Sequence, residues 1–306
     1  MHYTLNQLQI YLKVVELQSI TKAAQQLFLT QPAVSIQLKK FQDQFEIPLV
    51  EVLGKQLYIT DFGREVAQSA LAILDEADRL NTIALAHKGL QTGTLKISSA
   101  STGKYVMPYF LGNFLEDHPG VELKLDVTNK TTVVKSLEQN ETDFALVSIL
   151  PDHLNIAFEP LLPNKLFWVT AFKTIIPKVK KAQLLQQIPW IFREEGSATR
   201  ASMEKFLSQQ NVRLSRKMVL VSNEAVKQAT IAGLGSSIMP LIGIKHELNA
   251  QDLKIIPLPS LPIETTWFLV WLKDKKLSPV AQFYLQYLRA HKEQIIQKHF
   301  HWYMQY

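Results

Sequence analysis

The 306-residue chain contains no cysteine, which excludes disulfides, thiolate metal sites and cysteine nucleophiles together. No stretch approaches the roughly eighteen uninterrupted apolar residues of a membrane span. The opening Met1-His2-Tyr3-Thr4-Leu5-Asn6-Gln7 lacks the basic segment and apolar run of a secretory leader. A cytoplasmic, bacterial-type protein that makes no membrane contact is the expectation. His-x-x-Glu-His, Gly-x-Ser-x-Gly, Walker and paired-carboxylate motifs are also missing, so no enzyme activity is expected. Internal repeats and low-complexity tracts are absent as well. Ala232-Gly233-Leu234-Gly235-Ser236-Ser237 follows a helix and lacks a third glycine, so it reads as a helix-ending turn and not a nucleotide loop.

Charge of one sign is missing where it would tell most. The net charge is +6, yet residues 1–60 hold Lys13, Lys22, Lys39, Lys40 and Lys55 against Glu16, Asp43, Glu46 and Glu51. Much of the excess lies in Lys178–Lys181, Arg213–Lys217 and Lys273–Lys276, which read as solvated faces. What is present is a globular composition, 47 % apolar and 20 % charged, in a chain long enough for two or three compact units.

Leu8, Tyr11, Leu12 and Val15 recur at helical spacing from Leu5 to about Leu17. After a break at Gln18, Ser19 is placed to cap a short helix through Thr21, Ala23, Ala24 and Leu27. Thr30-Gln31-Pro32 opens a third helix, with Thr30 as cap and Pro32 in the first turn, where a missing N–H costs little. On it Val34, Leu38, Phe41 and Phe45 share one sector, while Pro32, Ser35, Ile36, Lys39 and Lys40 take the sides and back. Two short β-like runs around Gly54-Lys55 read as a wing. Such a set forms a winged helix-turn-helix over residues 1–61, whose third helix meets base edges in the major groove. Gln31 fits an adenine edge, Ser35 a phosphate or base and Ile36 a thymine methyl. A plain three-helix core with solvated polar residues is the alternative.

A long helical pattern with Val66, Ala70, Ile73, Ala77, Leu80 and Leu85 runs over 62–90, as in a pairing helix. Gln91-Thr92-Gly93-Thr94 reads as a hinge. The effector-sized remainder, 91–306, alternates strand and helix, which predicts a largely parallel α/β sheet. Strands are expected at Leu95–Ser99, Val121–Val127, Phe144–Ile149, Lys165–Val169, Trp190–Phe192, Met218–Val221 and Thr266–Leu272. Helices are expected at Tyr105–Asp117, at Thr131–Gln139, from about Ala198, at Glu224–Ala232 and from Ser278. Two lobes, one of about 94–163 with 266–306 and one of about 164–265, are expected to be joined by two crossovers around a cleft. Ser101-Thr102-Gly103 and Gly196-Ser197-Ala198-Thr199 each precede a helix, and helix N-termini attract anions. Lys104 and Arg200 would reinforce such a site, and Ser99, Ser148 and Asn223 complete the candidates. Ordinary helix caps are the alternative for the hydroxyls. His299 and His301 lack further ligand partners for a metal, and Phe300, Trp302, Tyr303 and Tyr306 suggest cover for a seam between subunits.

The run Leu8-Gln9-Ile10-Tyr11-Leu12 through Ser19-Ile20-Thr21-Lys22-Ala23-Ala24-Gln25-Gln26-Leu27-Phe28-Leu29-Thr30-Gln31-Pro32-Ala33-Val34-Ser35 resembles the signature of LysR-type transcriptional regulators. Ile47-Pro48-Leu49 and Ile59-Thr60-Asp61-Phe62-Gly63 fall at matching offsets. Within that family Ser101-Thr102-Gly103-Lys104-Tyr105, Phe192-Arg193-Glu194-Glu195-Gly196-Ser197-Ala198-Thr199-Arg200 and Ser222-Asn223-Glu224-Ala225-Val226-Lys227-Gln228-Ala229 resemble the CbbR-like regulators of carbon-fixation operons. Two departures are visible. Leu49-Val50-Glu51-Val52 stands where the family shows Leu-Phe-x-Arg, and Ile36 stands where an arginine is frequent. The resemblance implies a two-lobed periplasmic-binding-protein-like effector domain behind the long helix and a double-stranded operator. It also implies a homodimer assembling to a homotetramer, with RNA polymerase as a further partner. No cofactor is implied, only a small effector, a carboxylate or phosphate ester. The implied DNA contacts are Ser19, Thr21, Thr30, Gln31, Pro32, Ser35, Ile36, Lys39, Lys40 and Lys55. A solute-binding receptor of a transport system is the rival function, since its two-lobed sensor would look alike.

Overall fold

The computed structural model describes residues 3–54, 56–86, 92–210 and 216–306. The chain divides into two compact units, Met1–Gln91 with Gln139–Glu141, and Thr92–Glu138 with Thr142–Tyr306.

The first unit holds helices α1 (Leu5–Leu17), α2 (Ile20–Gln26) and α3 (Gln31–Gln42), an antiparallel pair β1 (Val50–Leu53) and β2 (Gln56–Ile59), and helix α4 (Asp61–Ala86). Thr4 and Gln7 start α1 as a reciprocal capping box, Gln7 N donating to Thr4 Oγ1 at 3.2 Å and Thr4 N to Gln7 Oε1 at 2.8 Å. A left-handed Gln18 ends it. Ser19 and Thr30 cap α2 and α3 by accepting from Lys22 N and Ala33 N, as their positions imply. The helical spacing then delivers Val34, Leu38 and Phe41 into a core with Leu8, Tyr11, Val14, Ala23 and Leu49. Phe45, expected on the α3 face, lies beyond the helix end and packs its ring on Phe41 at 5.2 Å.

The first turn of α4 is seated by a close approach. Buried Tyr11 donates from Oη to Gly63 O at 2.7 Å, and a Cβ on residue 63 would stand 2.1 Å from Leu49 O. Only glycine fits there. The expected end of this helix falls in residues 87–91, outside the described residues, as does Gln91 of the expected hinge. Gly93 and Thr94 are not hinge but the first residues of a strand.

The second unit runs β3 (Gly93–Ala100), a 3-10 turn (Ser101–Tyr105), α5 (Met107–Asp117), β4 (Val121–Thr128), α6 (Lys130–Glu138), β5 (Phe144–Val147), β6 (Ile156–Ala171), α7 (Lys181–Gln187), β7 (Trp190–Arg193), α8 (Ala198–Gln209), β8 (Lys217–Leu220), α9 (Asn223–Ile231), β9 (Ser237–Pro240), α10 (Lys245–Asn249), β10 (Leu253–Ile255), β11 (Ile263–Leu272) and α11 (Pro279–Phe300). The helix expected from Tyr105 therefore begins at Met107.

The sheet is mixed and not largely parallel. In the order β10-β6-β11-β5-β3-β4, with β9 also on β6, only β4-β3-β5 run parallel. The long strands β6 and β11 are antiparallel to each other. Strand β6 begins at Ile156, nine residues before the expected start. Pro160 and Pro163 hide it in the sequence, because proline lacks the ladder N–H. A register shift between Thr266 and Phe268 accommodates them, opposite these two prolines. Because β11 pairs with β5 at one end while β6 pairs with β9 and β10 at the other, these two strands are the crossovers that join the lobes.

Stacked Trp168 and Trp190, with ring centroids 5.0 Å apart, centre the core of the lobe built on β7, α7 and α8. In the other lobe α11 closes over α5, and Glu159 on β6 accepts from Arg289 Nε at 2.8 Å and Lys292 Nζ at 2.5 Å. The aromatic tail is divided: Tyr306 is 44 % exposed and Trp302 half-buried. Phe300 and Tyr303 are buried in the chain's own core, Tyr303 Oη accepting from Lys165 N at 2.6 Å, because α11 carries them back onto β6. Among the described residues no helix is long and apolar enough to cross a membrane.

Candidate functional site

In the first unit the caps hold α3 with one face buried and the other in solvent. Thr21, Thr30, Gln31, Pro32, Lys39 and Lys40 are exposed, Ser19 and Ser35 are half-buried, and Ile36 is 54 % exposed. Lys55 lies outside the described residues. Residue type alone did not single out Phe28, which sits between α2 and α3 in the left-handed region (φ 56°), 96 % exposed. A ring held there packs on no core. The surface thus offers short polar groups and apolar tips, with the two lysines Lys39 and Lys40 on α3.

In the second unit the candidate surface is the seam between lobes. A cavity of about 20 Å³ is lined by Thr102 and Tyr105 from one lobe and by Arg193, Thr199, Asn223 and Lys227, among others, from the second. That is room for one water. The lobes are closed on it. Arg193 Nη2 donates to Ser101 Oγ at 3.0 Å across the seam. Gly196, with φ +81°, lies so near α6 that a Cβ would stand 2.7 Å from Thr131 Oγ1. Gly243 similarly meets the Tyr105 ring, at 2.9 Å from its would-be Cβ.

Two cations face this cavity, and each is matched by carboxylates of its own lobe. Arg193, at the end of β7 with a side chain 4 % exposed, holds Glu194 through Nε and Nη2, both at 2.7 Å. Lys227 on α9 reaches Glu247 at 2.6 Å and Glu224 at 3.1 Å. Burial opposes the charge on Lys227, but hydrogen bonds to Glu247 and Glu224 outweigh it and hold its pKa above the usual lysine value. A hydrogen bond from Gln228, joined by Lys227 and the field of Lys104, holds the Glu224 carboxyl below its ordinary range. One donor has no partner: Asn223 Nδ2 is buried at the cavity wall without a hydrogen bond.

Of the sequence candidates, Thr102, Thr199 and Asn223 line the cavity, and Ser101 and Gly196 make the contacts across the seam. The remainder are turned elsewhere. Ser99 Oγ is buried and bonds to Ala100 O, and Gly103 packs against that hydroxyl. Lys104 is exposed over the Tyr105 ring. Ser148 is buried and is not among the lining residues. Ser197 caps α8, while Arg200 is held by Glu204 at 2.8 Å and by Glu195 at 3.5 Å. The expected clamp of two helix N-termini is corrected on one side, because Ser101-Thr102-Gly103 lie inside a 3-10 turn and α5 starts later. The charge comes from Arg193 and Lys227, which residue patterns did not nominate. A charged residue closing the apolar run Trp190-Ile191-Phe192 was the available signal. Among the described residues no group of three or more His, Asp or Glu side chains is placed to hold a metal.

Comparison with known proteins covers nearly the whole chain. Residues 5–64 match the family described as bacterial regulatory helix-turn-helix protein, lysR family, and residues 88–293 match the LysR substrate binding domain. The HTH-type transcriptional activator CmpR of Synechocystis is 34 % identical over 294 residues, 95 % of this chain and 97 % of that protein. The RuBisCO operon transcriptional regulator of Acidithiobacillus ferrooxidans is 34 % identical over 291 residues, 94 % of each. Among solved structures, the Synechocystis CcmR regulatory domain in complex with 2-PG is similar at 30 % identity and TM-score 0.61, covering 66 % of this chain and 98 % of that one. Full-length CbnR complexed with its target DNA shares the fold at 20 % identity and TM-score 0.63, over 94 % of this chain and 99 % of that one.

Proposed function

The chain belongs to the LysR family of bacterial transcriptional regulators, and from that premise we propose that it reads an operator with α3 and gates that reading with a small anion held between its lobes. Several relatives are CbbR or RuBisCO operon regulators, which supports a RuBisCO-type operon as the target in this reading. The observation that carries the ligand class is the unpartnered Asn223 Nδ2 beside Arg193 and Lys227 in one cavity. Three donors converge there, two of them charged, which suits a phosphate ester or a carboxylate. Catalysis plays no part in this reading.

On DNA, Gln31 is the adenine reader and Ile36 the apolar contact, with Ser35 beside them and Lys39 and Lys40 on phosphate. Two lysines per reading helix give weak binding and a shallow salt dependence. Strength comes from several copies on one operator, a dimer or tetramer raising the effective concentration without new contacts. The ligand acts by favouring one arrangement of the lobes over another and shifting an existing equilibrium.

Calorimetry of the full chain with 2-PG, inorganic phosphate and acetate tests the ligand class. Saturable heat with at least one anion is expected. A chain that binds its operator specifically yet gives no heat with any of them would overturn the reading.

A further inference from the structure

We propose that Glu194 is a built-in competitor for the effector, occupying the Arg193 guanidinium until an anion displaces it and so setting the concentration at which the regulator responds. This rests on the anion reading above and concerns the control of that same site.

Arg193 and Glu194 are adjacent in sequence, so their ion pair ties the chain only to itself and adds no long-range link to the fold. What the pair does is neutralise a guanidinium that β7 buries at the cavity wall, since an unpaired charge there would be costly. The pairing is bidentate, through Nε and Nη2 to the two carboxylate oxygens. That is the fork geometry a guanidinium also offers to a phosphate or a ligand carboxylate. Glu194 itself does not line the cavity, but it holds the Nε–Nη2 edge of Arg193, the fork that an anion entering the cavity would need.

The two partners differ in their freedom to leave. The Arg193 side chain is 4 % exposed and Glu194 19 %, and Glu194 opens the short segment that ends at the left-handed Gly196. A carboxylate swinging outward regains its hydration, whereas the guanidinium has no such exit. Lys227 is different, because Glu247 on α10 anchors it from a separate element.

Displacement is an exchange of one anion for another at a fixed cation. A neutral ligand offers nothing to balance Arg193, so Glu194 excludes it, and a weak anion fails at low concentration. The same Nη2 bonds to Ser101 across the seam, so the exchange takes place at the contact that closes the lobes. Effector entry and lobe arrangement are coupled at one atom.

The test compares the full wild-type chain with Glu194→Gln and Glu194→Asp, using inorganic phosphate and 2-PG in calorimetry and thermal unfolding. Without anion, Glu194→Gln melts lower than wild type, since Arg193 has lost its counter-charge. With anion it binds about tenfold tighter or better, as expected when a charge-assisted competitor is removed, and its melting temperature rises by more than that of wild type. Glu194→Asp keeps the charge but is too short to span both nitrogens, and it falls between the two; it also serves if Glu194→Gln fails to fold. Anion binding by wild type that is unchanged or weaker in both variants overturns the competitor and leaves the anion reading standing. Absence of binding by all three proteins overturns the anion reading and the competitor with it.

Discussion

Replacing Asn223 by alanine should change stability and ligand affinity in opposite directions. Its Nδ2 is buried at the cavity wall and lacks a partner, and a buried unsatisfied donor costs about 1–3 kcal/mol. Alanine removes that cost. The helix start survives, because Ser222 caps α9 by accepting from Ala225 N at 3.0 Å. A water in the small cavity would already recover part of the cost, so the expected gain is up to about 1 kcal/mol, or roughly 2–4 °C in Tm for a unit of this size. With an anion bound, the same donor makes a charge-assisted bond worth about 1.5–3 kcal/mol. Its loss weakens Kd by about ten- to a hundredfold. Thermal unfolding with and without phosphate, paired with calorimetry, reads both effects. A variant that melts lower without ligand, or that binds anions as wild type does, would refute the assignment of Nδ2 as a ligand donor.

Three further outcomes are expected. Ile36→Arg restores a cation on the exposed flank of α3 and should tighten operator binding while steepening the salt slope by about one, measured by mobility shifts at several salt concentrations. Gly63→Ala forces a Cβ to within 2.1 Å of Leu49 O; overpacking against backbone costs about 1–3 kcal/mol, so the first unit should melt earlier and operator binding should fall. Glu159 is held below the usual carboxylate range: burial pushes its pKa up, but bonds and charges of Lys292 and Arg289 pull it further down. A lowered folded pKa gives stability that is present above the unfolded value of 4.5 and is lost as pH falls through the folded one. Glu159→Gln should therefore lower stability at pH 7 and flatten its acid dependence in urea titrations.

The first unit was legible because its signals are local. Ser19, Thr30 and Pro32 announce helix starts within three residues of the amides they serve, and the spacing of Val34, Leu38 and Phe41 gives the buried face. Charge contributed nothing, and the near-neutral domain carries only Lys39 and Lys40 on its reading helix. The second unit was legible in its alternation but not in its sheet. Pro160 and Pro163 disguise the first half of β6, and the expected pieces at Lys165–Val169 and Thr266–Leu272 carry no signal that they pair antiparallel. The site was the least legible part. Arg193 and Ser101 are 92 positions apart, and no spacing rule brings them together. Hydroxyl-rich loops drew attention to Ser101, Thr102, Ser197 and Thr199, whereas the charge that defines the cavity sits on the neighbouring Arg193 and on Lys227. Ser197 and Arg200 illustrate the limit, since a cap and a helix-face ion pair use the same residue types as a ligand site.

The central claim is that an anion bound between the lobes controls how α3 reads DNA. The most direct measurement is a footprint of the full chain on the DNA beside its own gene, with and without the anion that calorimetry identifies, repeated with Arg193→Met. A footprint that changes in extent or spacing with the anion in wild type, and stays fixed in the variant, is expected. A specific footprint that is the same in both proteins whether or not the bound anion is present would contradict it.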